Sequence, residues 1–223
     1  MAPAEIAAVI FDLDGVLLDS ESAWVEEKKR YTEDSGGHWK EEAQWEMLGM
    51  SSTEWSRYMH DELGVPVPPD RISSEVAERL AQRYQQELPL LPGAVEAVRS
   101  LARHWPLGLA SSSNRNVIDL VLEEAGLADA FAATVSSEEV GAGKPAPDVY
   151  LEAASRLGVD PTACVAIEDS TNGIRSANAA GMAVIAVPNR DFPPEPEALA
   201  LAALALDSLE ELSPERVRSL SDA

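Results

Sequence analysis

Two aspartates, Asp12 and Asp14, close the apolar run in "VIFDLDGVLLDS" (residues 9–20), and Gly15 follows them. Carboxylates at the end of an otherwise buried strand are costly unless they meet a cation or a reacting group. Three further positions carry the same signature. Ser111 follows "LGLA", Glu168 and Asp169 follow "CVAI", and Lys144 sits in the loop "GAGKPAPD". Singly, each has an ordinary structural use: a solvated strand end, a helix N-cap in "SSSN", a loop lysine, a turn. Gathered at one edge of a sheet, four carboxylates with one hydroxyl and one ammonium would repel strongly unless a divalent cation neutralised them. Oxygen donors without histidine or cysteine favour Mg²⁺, which completes its octahedron with water and substrate phosphate oxygens. Spacing excludes two familiar loops. A calcium loop starting at Asp12 has Leu17 and Ala23 where it needs Gly and Glu. A P-loop ending at Lys144 has Pro145 and Glu138 where it needs Ser or Thr and Gly.

The elements that must position these groups are legible as a rhythm. After the first strand, "ESAWVEEKKRYTED", "WKEEAQWEML", "SSTEWSRYMHDEL" and "SSEVAERLAQRYQQEL" read as helices between residues 20 and 88, separated by Gly36-Gly37 and "GVPVPPD". Four of the five tryptophans fall there, which predicts a small helical unit with its own core. "LPLLPG" at 88–93 reads as a stiff hinge. Helices are then expected over 93–103, 116–125, 147–157 and 173–180. They alternate with strands over 107–111, 131–136, 164–169 and 182–187, and Gly126, Gly158 and Gly181 act as stops. "VPNRDFPPEPE" reads as a proline-rich loop. Strands too uniformly apolar to have a wet face imply an α/β fold with a parallel sheet covered on both sides, whose ligands bind beyond the strands' carboxyl ends.

Composition bounds the partners. The 223 residues, 45% hydrophobic and 25% charged, suit one core with an insertion. Seventeen basic against 39 acidic residues leave a net charge of −22, which argues against nucleic acid and anionic membranes. The lone Cys164 reads as a packed strand thiol, and the opening "MAPAEIAAVIF" has neither a basic n-region nor an uninterrupted apolar stretch. A cytoplasmic monomer is expected.

"DLDGVLLDSE", "ASSSN", "GAGKPAPDVY" and "IEDSTNGIRSANAAGM" resemble the four ordered motifs of the haloacid dehalogenase (HAD) superfamily, within its phosphatase and β-phosphoglucomutase-like branch. The resemblance implies a Rossmann-like, doubly wound core over residues 1–18 and 90–223, with a small α-helical cap domain inserted over 19–89. It implies that Asp12 is the nucleophile, forming an aspartyl-phosphate. Asp14 would be the acid that protonates the leaving alkoxide and later the base that activates water. Ser111, the Ser112 N–H and Lys144 would hold the phosphoryl oxygens, and Asp12, the Asp14 carbonyl, Glu168 and Asp169 would hold Mg²⁺. The superfamily's dehalogenases lack the second aspartate, because a halide leaves without a proton; Asp14 therefore argues for a small phosphomonoester as substrate.

The cap is expected to choose that substrate, and Trp24, which follows "DSES", is the pocket candidate. Two other readings compete. A phosphomutase of the β-phosphoglucomutase type would use the same aspartates, but Trp24 stands where those enzymes have a histidine, and Ser52 where they have a phosphate-clamping arginine, a charge that Arg57 or Lys28 could supply from elsewhere in the cap. A non-catalytic phospho-ligand module is disfavoured because every catalytic position is filled.

Overall fold

A computed structural model describes residues 5–221; residues 1–4 and 222–223, the expected ends of the core, lie outside the described residues. β1 (Ala8–Phe11), β2 (Leu107–Ser111), β3 (Ala133–Ser136), β4 (Cys164–Glu168), β5 (Ala183–Ala186) and β6 (Leu204–Ala205) form one sheet in the order β3-β2-β1-β4-β5-β6. Every pairing is parallel. Both faces are dry, as the uniformly apolar strands require, and side chains alternate between them. Val9, Phe11, Leu109 and Ile167 pack on one side. Ala8, Ile10, Ala110 and Ala166 pack on the other, against α7 (Asp148–Leu157) and α8 (Thr171–Ala179). The strand order reverses at β1, which opens the crevice in which such sheets bind ligands.

Between β1 and β2 the chain inserts α1 (Glu21–Asp34), α2 (Ala43–Glu46), α3 (Ser52–Asp61) and α4 (Pro69–Tyr84), followed by α5 (Ala94–Leu101). The two connections into the insertion pair with each other: Asp19 donates its N–H to Pro89 at 2.8 Å, and Leu91 donates to Leu17 at 2.9 Å. The insertion buries Met59, Ile72, Val76 and Leu80 among its own helices, and this core is continuous with that of the sheet. Trp24, Trp55 and Met59 run without a break into the cluster holding Phe11 and Leu109. Trp45 is 57% exposed and packs on Phe192 instead.

Three expectations change. The helix expected over 39–48 shrinks to four residues, because only Ala43 and Met47 are buried and two apolar contacts cannot offset helix nucleation. α4 starts ahead of "SSEV", since Pro69 is at home in a first helical turn. Beyond the proline-rich loop, β6 extends the sheet, with short helices α9 (Pro196–Leu199) and α10 (Pro214–Arg218) around it; two paired residues are too short to leave a strand pattern. Among the described residues no helix is long and apolar enough to cross a membrane.

Candidate active site

Register brings the acidic groups together. Phe11 pairs with Leu109 and Ile167, so Asp12 emerges beside Glu168, and its N–H continues the ladder to the Ile167 carbonyl at 3.0 Å. The chain then turns back, with Gly15 N–H donating to Leu18 at 2.8 Å. Gly15 has φ +75°, and a Cβ there would lie 1.9 Å from Asp169 Oδ2. Only glycine satisfies both demands. Gly15→Ala is therefore expected to lose about 1–2 kcal/mol of stability and nearly all turnover, because Asp169 must move. Urea unfolding set beside an activity assay checks this, and an active alanine variant would show that Asp169 is free to shift.

Asp12, Glu168 and Asp169 are buried and offer ligand oxygens that all lie within 4.8 Å of one another. Lys144 Nζ lies 3.0 Å from Asp12 Oδ1 and 2.6 Å from Glu168 Oε1, which also accepts from the Tyr150 hydroxyl at 2.6 Å. Glu168 Oε2 has the longer contacts, 3.2 Å to Asp169 N–H and 3.3 Å to Ser170 Oγ. One ammonium cannot neutralise three carboxylates. Burial, with Glu168 and Asp14 nearby, pushes Asp12 up to about 8 despite Lys144, and burial with Glu168 and Asp12 holds Asp169 well above the usual carboxylate range. Asp12 Oδ1 is also fully buried without a hydrogen bond of acceptable geometry, even though Lys144 stands close. An orphaned carboxylate oxygen in an all-oxygen cluster is what a hard divalent cation requires, so these residues fit one.

Asp14 has a different environment. Trp24 Nε1 on α1 donates to Oδ1 at 2.9 Å, and Ser113 Oγ donates to Oδ2 at 2.5 Å. Ser111 is fully buried; its Oγ accepts from Ser113 N–H at 3.0 Å and reaches Asp14 Oδ2 at 3.5 Å. Ser112 and Ser113, together with Lys144, line the cavity. The cavity measures about 390 Å³, the size of a small-metabolite site, and lies between the sheet edge and the insertion. Its charged lining is Asp12, Asp14, Glu21, Asp169 and Glu195 against Lys28, Lys144 and Arg175.

The structure thus brings Asp12, Asp14, Ser112, Lys144, Asp169 and Trp24 around one cavity, with Glu168 and Ser111 directly behind it. Sequence reading missed Ser113, which was inside "SSSN", and Tyr150, the last residue of "GAGKPAPDVY". Of the two cations, Arg57 and Lys28, that could supply charge from the insertion, Lys28 lines the cavity and Arg57 does not. Cys164 is buried and its thiol is pushed up to about 11 by burial, as a packed strand residue should be.

Over 232 aligned residues the chain is 35% identical to hexitol phosphatase B of Escherichia coli (strain K12), covering 95% of this chain and 96% of that one. Its fold matches a β-phosphoglucomutase from Clostridium difficile with a TM-score of 0.83 at 25% identity, over 97% of both chains. It matches CbbY from Rhodobacter sphaeroides, solved with phosphate, with the same TM-score at 28% identity, over 93% of this chain and 96% of that one. A haloacid dehalogenase-like hydrolase model matches residues 6–181, and the chain belongs to that family.

Proposed function

We propose that the protein is a Mg²⁺-dependent phosphatase that hydrolyses a small phosphorylated metabolite of the sugar-phosphate type, with the helical insertion (residues 19–89) acting as a cap over the core. The reading rests on the division of labour between the two aspartates. Asp12 is buried among carboxylates beside Lys144, whereas Asp14 faces the insertion and the cavity. Hexitol phosphatase B, a relative over nearly the whole chain, supports the substrate class.

Asp12 attacks phosphorus as the bond to the leaving oxygen breaks, and Asp14 gives that oxygen a proton. Water then attacks the aspartyl-phosphate, Asp14 takes the proton back, and inorganic phosphate leaves with the Asp12 carboxylate restored. Lys144, the Ser112 N–H and the Ser111 hydroxyl hold the phosphoryl oxygens and take up charge as it develops. Asp12, Glu168, Asp169 and the Asp14 carbonyl would hold Mg²⁺, which supplies the positive charge that lets an anionic nucleophile meet a phosphate dianion. Closure of the insertion keeps bulk water from the phosphoryl group during the first step, and the water of the second step enters once the leaving alcohol has gone.

The likeness to a β-phosphoglucomutase supports one rival, return of the phosphoryl group to a sugar hydroxyl. A mutase must clamp a second phosphate. Ser52 is buried and Arg57 does not line the cavity, so the insertion offers only Lys28. Given β-glucose 1-phosphate, a bisphosphate primer and Mg²⁺, the enzyme should release inorganic phosphate without accumulating glucose 6-phosphate, and a chelator should stop release. Glucose 6-phosphate appearing faster than phosphate overturns the hydrolase reading.

A further inference from the structure

Lys28 lies on α1, 8% exposed, with its ammonium 5.3 Å from the Trp24 ring centroid and 5.0 Å from that of Trp55. Among the described residues its Nζ has no hydrogen bond and no ion pair, yet it lines the cavity. A buried ammonium with three unspent N–H donors is an expensive feature unless something else binds to it. Glu21, Trp24 and Lys28 fall at i, i+3 and i+7, so an acceptor, an indole and a donor share one stripe of the helix about 10 Å long, all on the cavity wall. Glu21 is likewise free of hydrogen bonds and ion pairs among the described residues, and burial holds its carboxyl above the usual range.

Resting on the phosphatase reading, we infer that Lys28 and Glu21 form the subsite that selects the leaving group, and that they read hydroxyls of an uncharged, polyhydroxylated alcohol. Lys28 donates to one hydroxyl oxygen, and Glu21 accepts from another farther along the chain. The Lys28 ammonium already lies over each of the two indole rings, so a flat nucleobase stacking on the same faces would have to displace it. A second phosphate or a carboxylate would meet a wall with more acidic than basic side chains and Glu21 on the same stripe. A neutral polyol satisfies both groups and adds no charge.

The charged groups bearing on Lys28 are Glu21 on its own helix and Asp14 from the turn after β1, while α3 contributes the Trp55 ring. Burial lowers Lys28 to about 8 against the pull of those two carboxylates. Its charged form, the stronger donor, is therefore present below pH 8 and lost above it.

The test compares kcat/KM for a hexitol phosphate, its deoxy analogue, phosphoglycolate, a nucleoside 5′-monophosphate and p-nitrophenyl phosphate. The wild type should prefer the hexitol phosphate. Lys28→Met should lower the hexitol-to-p-nitrophenyl ratio roughly 10- to 100-fold and erase discrimination against the deoxy analogue. Glu21→Gln should act in the same direction more weakly, and the wild-type ratio should fall above pH 8 while that of Lys28→Met stays flat. Losses equal across all substrates would overturn the subsite alone, as would a wild-type preference for phosphoglycolate or the nucleotide. Absence of any p-nitrophenyl phosphate turnover with Mg²⁺ would overturn the phosphatase reading and the subsite with it. Thermal unfolding of both variants separates a folding defect from a change in selectivity.

Discussion

Asp12→Asn should lower phosphate release by about ten-thousandfold or more while leaving the protein folded. The amide keeps the shape of the side chain but cannot attack phosphorus, and no neighbour can take its place. Glu168 is held by Lys144 and Tyr150, and Asp169 lies against Gly15. The buried cluster also loses a carboxyl that burial makes costly to ionise, so the variant should unfold at or above the wild-type temperature. Single-turnover measurements with p-nitrophenyl phosphate, alongside calorimetry, read both effects. Activity within tenfold of wild type would remove Asp12 as the nucleophile.

Lys144→Met should damage activity and stability together. Lys144 is buried, contacts Asp12 and Glu168, and sits 5.1 Å from the Tyr150 ring centroid. Methionine fills a similar volume without the charge. Three buried carboxylates then lack their ammonium, and breaking such a pair costs about 3–5 kcal/mol. Urea unfolding in chelator should show this loss, and kcat should fall because the phosphoryl oxygens lose their cation. Lys28 makes the contrast: it is also buried but has no ion-pair partner among the described residues, so its methionine variant should be nearly as stable as wild type. A Lys144→Met protein as stable as its parent would show that the carboxylates are neutralised by some other route.

The parallel sheet and the four carboxylates Asp12, Asp14, Glu168 and Asp169 were legible because each sits at or just past the end of an apolar run, where the register delivers it without help from distant packing, whereas Lys144, in a loop eight residues beyond β3, was marked by its motif "GAGKPAPD". Helix α1 was legible residue for residue, since its long charged pattern, nearly free of β-branched residues, is local. Other features depend on partners far away in sequence. α2 was overread because the expected apolar stripe never finds a surface to cover, and β6 exists only because β5 offers it an edge. In "EEKKR" Lys28 looks like one of several solvated cations. Its counterpart Trp55 lies 27 positions further on, so no local pattern could mark it as buried. Ser113 was hidden differently: three consecutive serines are chemically alike, and only the fold decides which one reaches Asp14.

The two oxygens of Asp14 are not equivalent. The indole N–H of Trp24 can give a hydrogen bond but never receive one, so Oδ1 is confined to the role of acceptor for as long as α1 stays in place. The Ser113 hydroxyl, facing Oδ2, can rotate and do either. Any proton carried by Asp14 must therefore ride on Oδ2, on the side of the sheet, and the serine must turn each time the proton arrives or departs. In the proposed mechanism acid and base are one side chain whose working face is assigned by a residue from the opposite wall. An insertion that swings away would release that assignment, leaving the carboxyl free to present its proton from either oxygen.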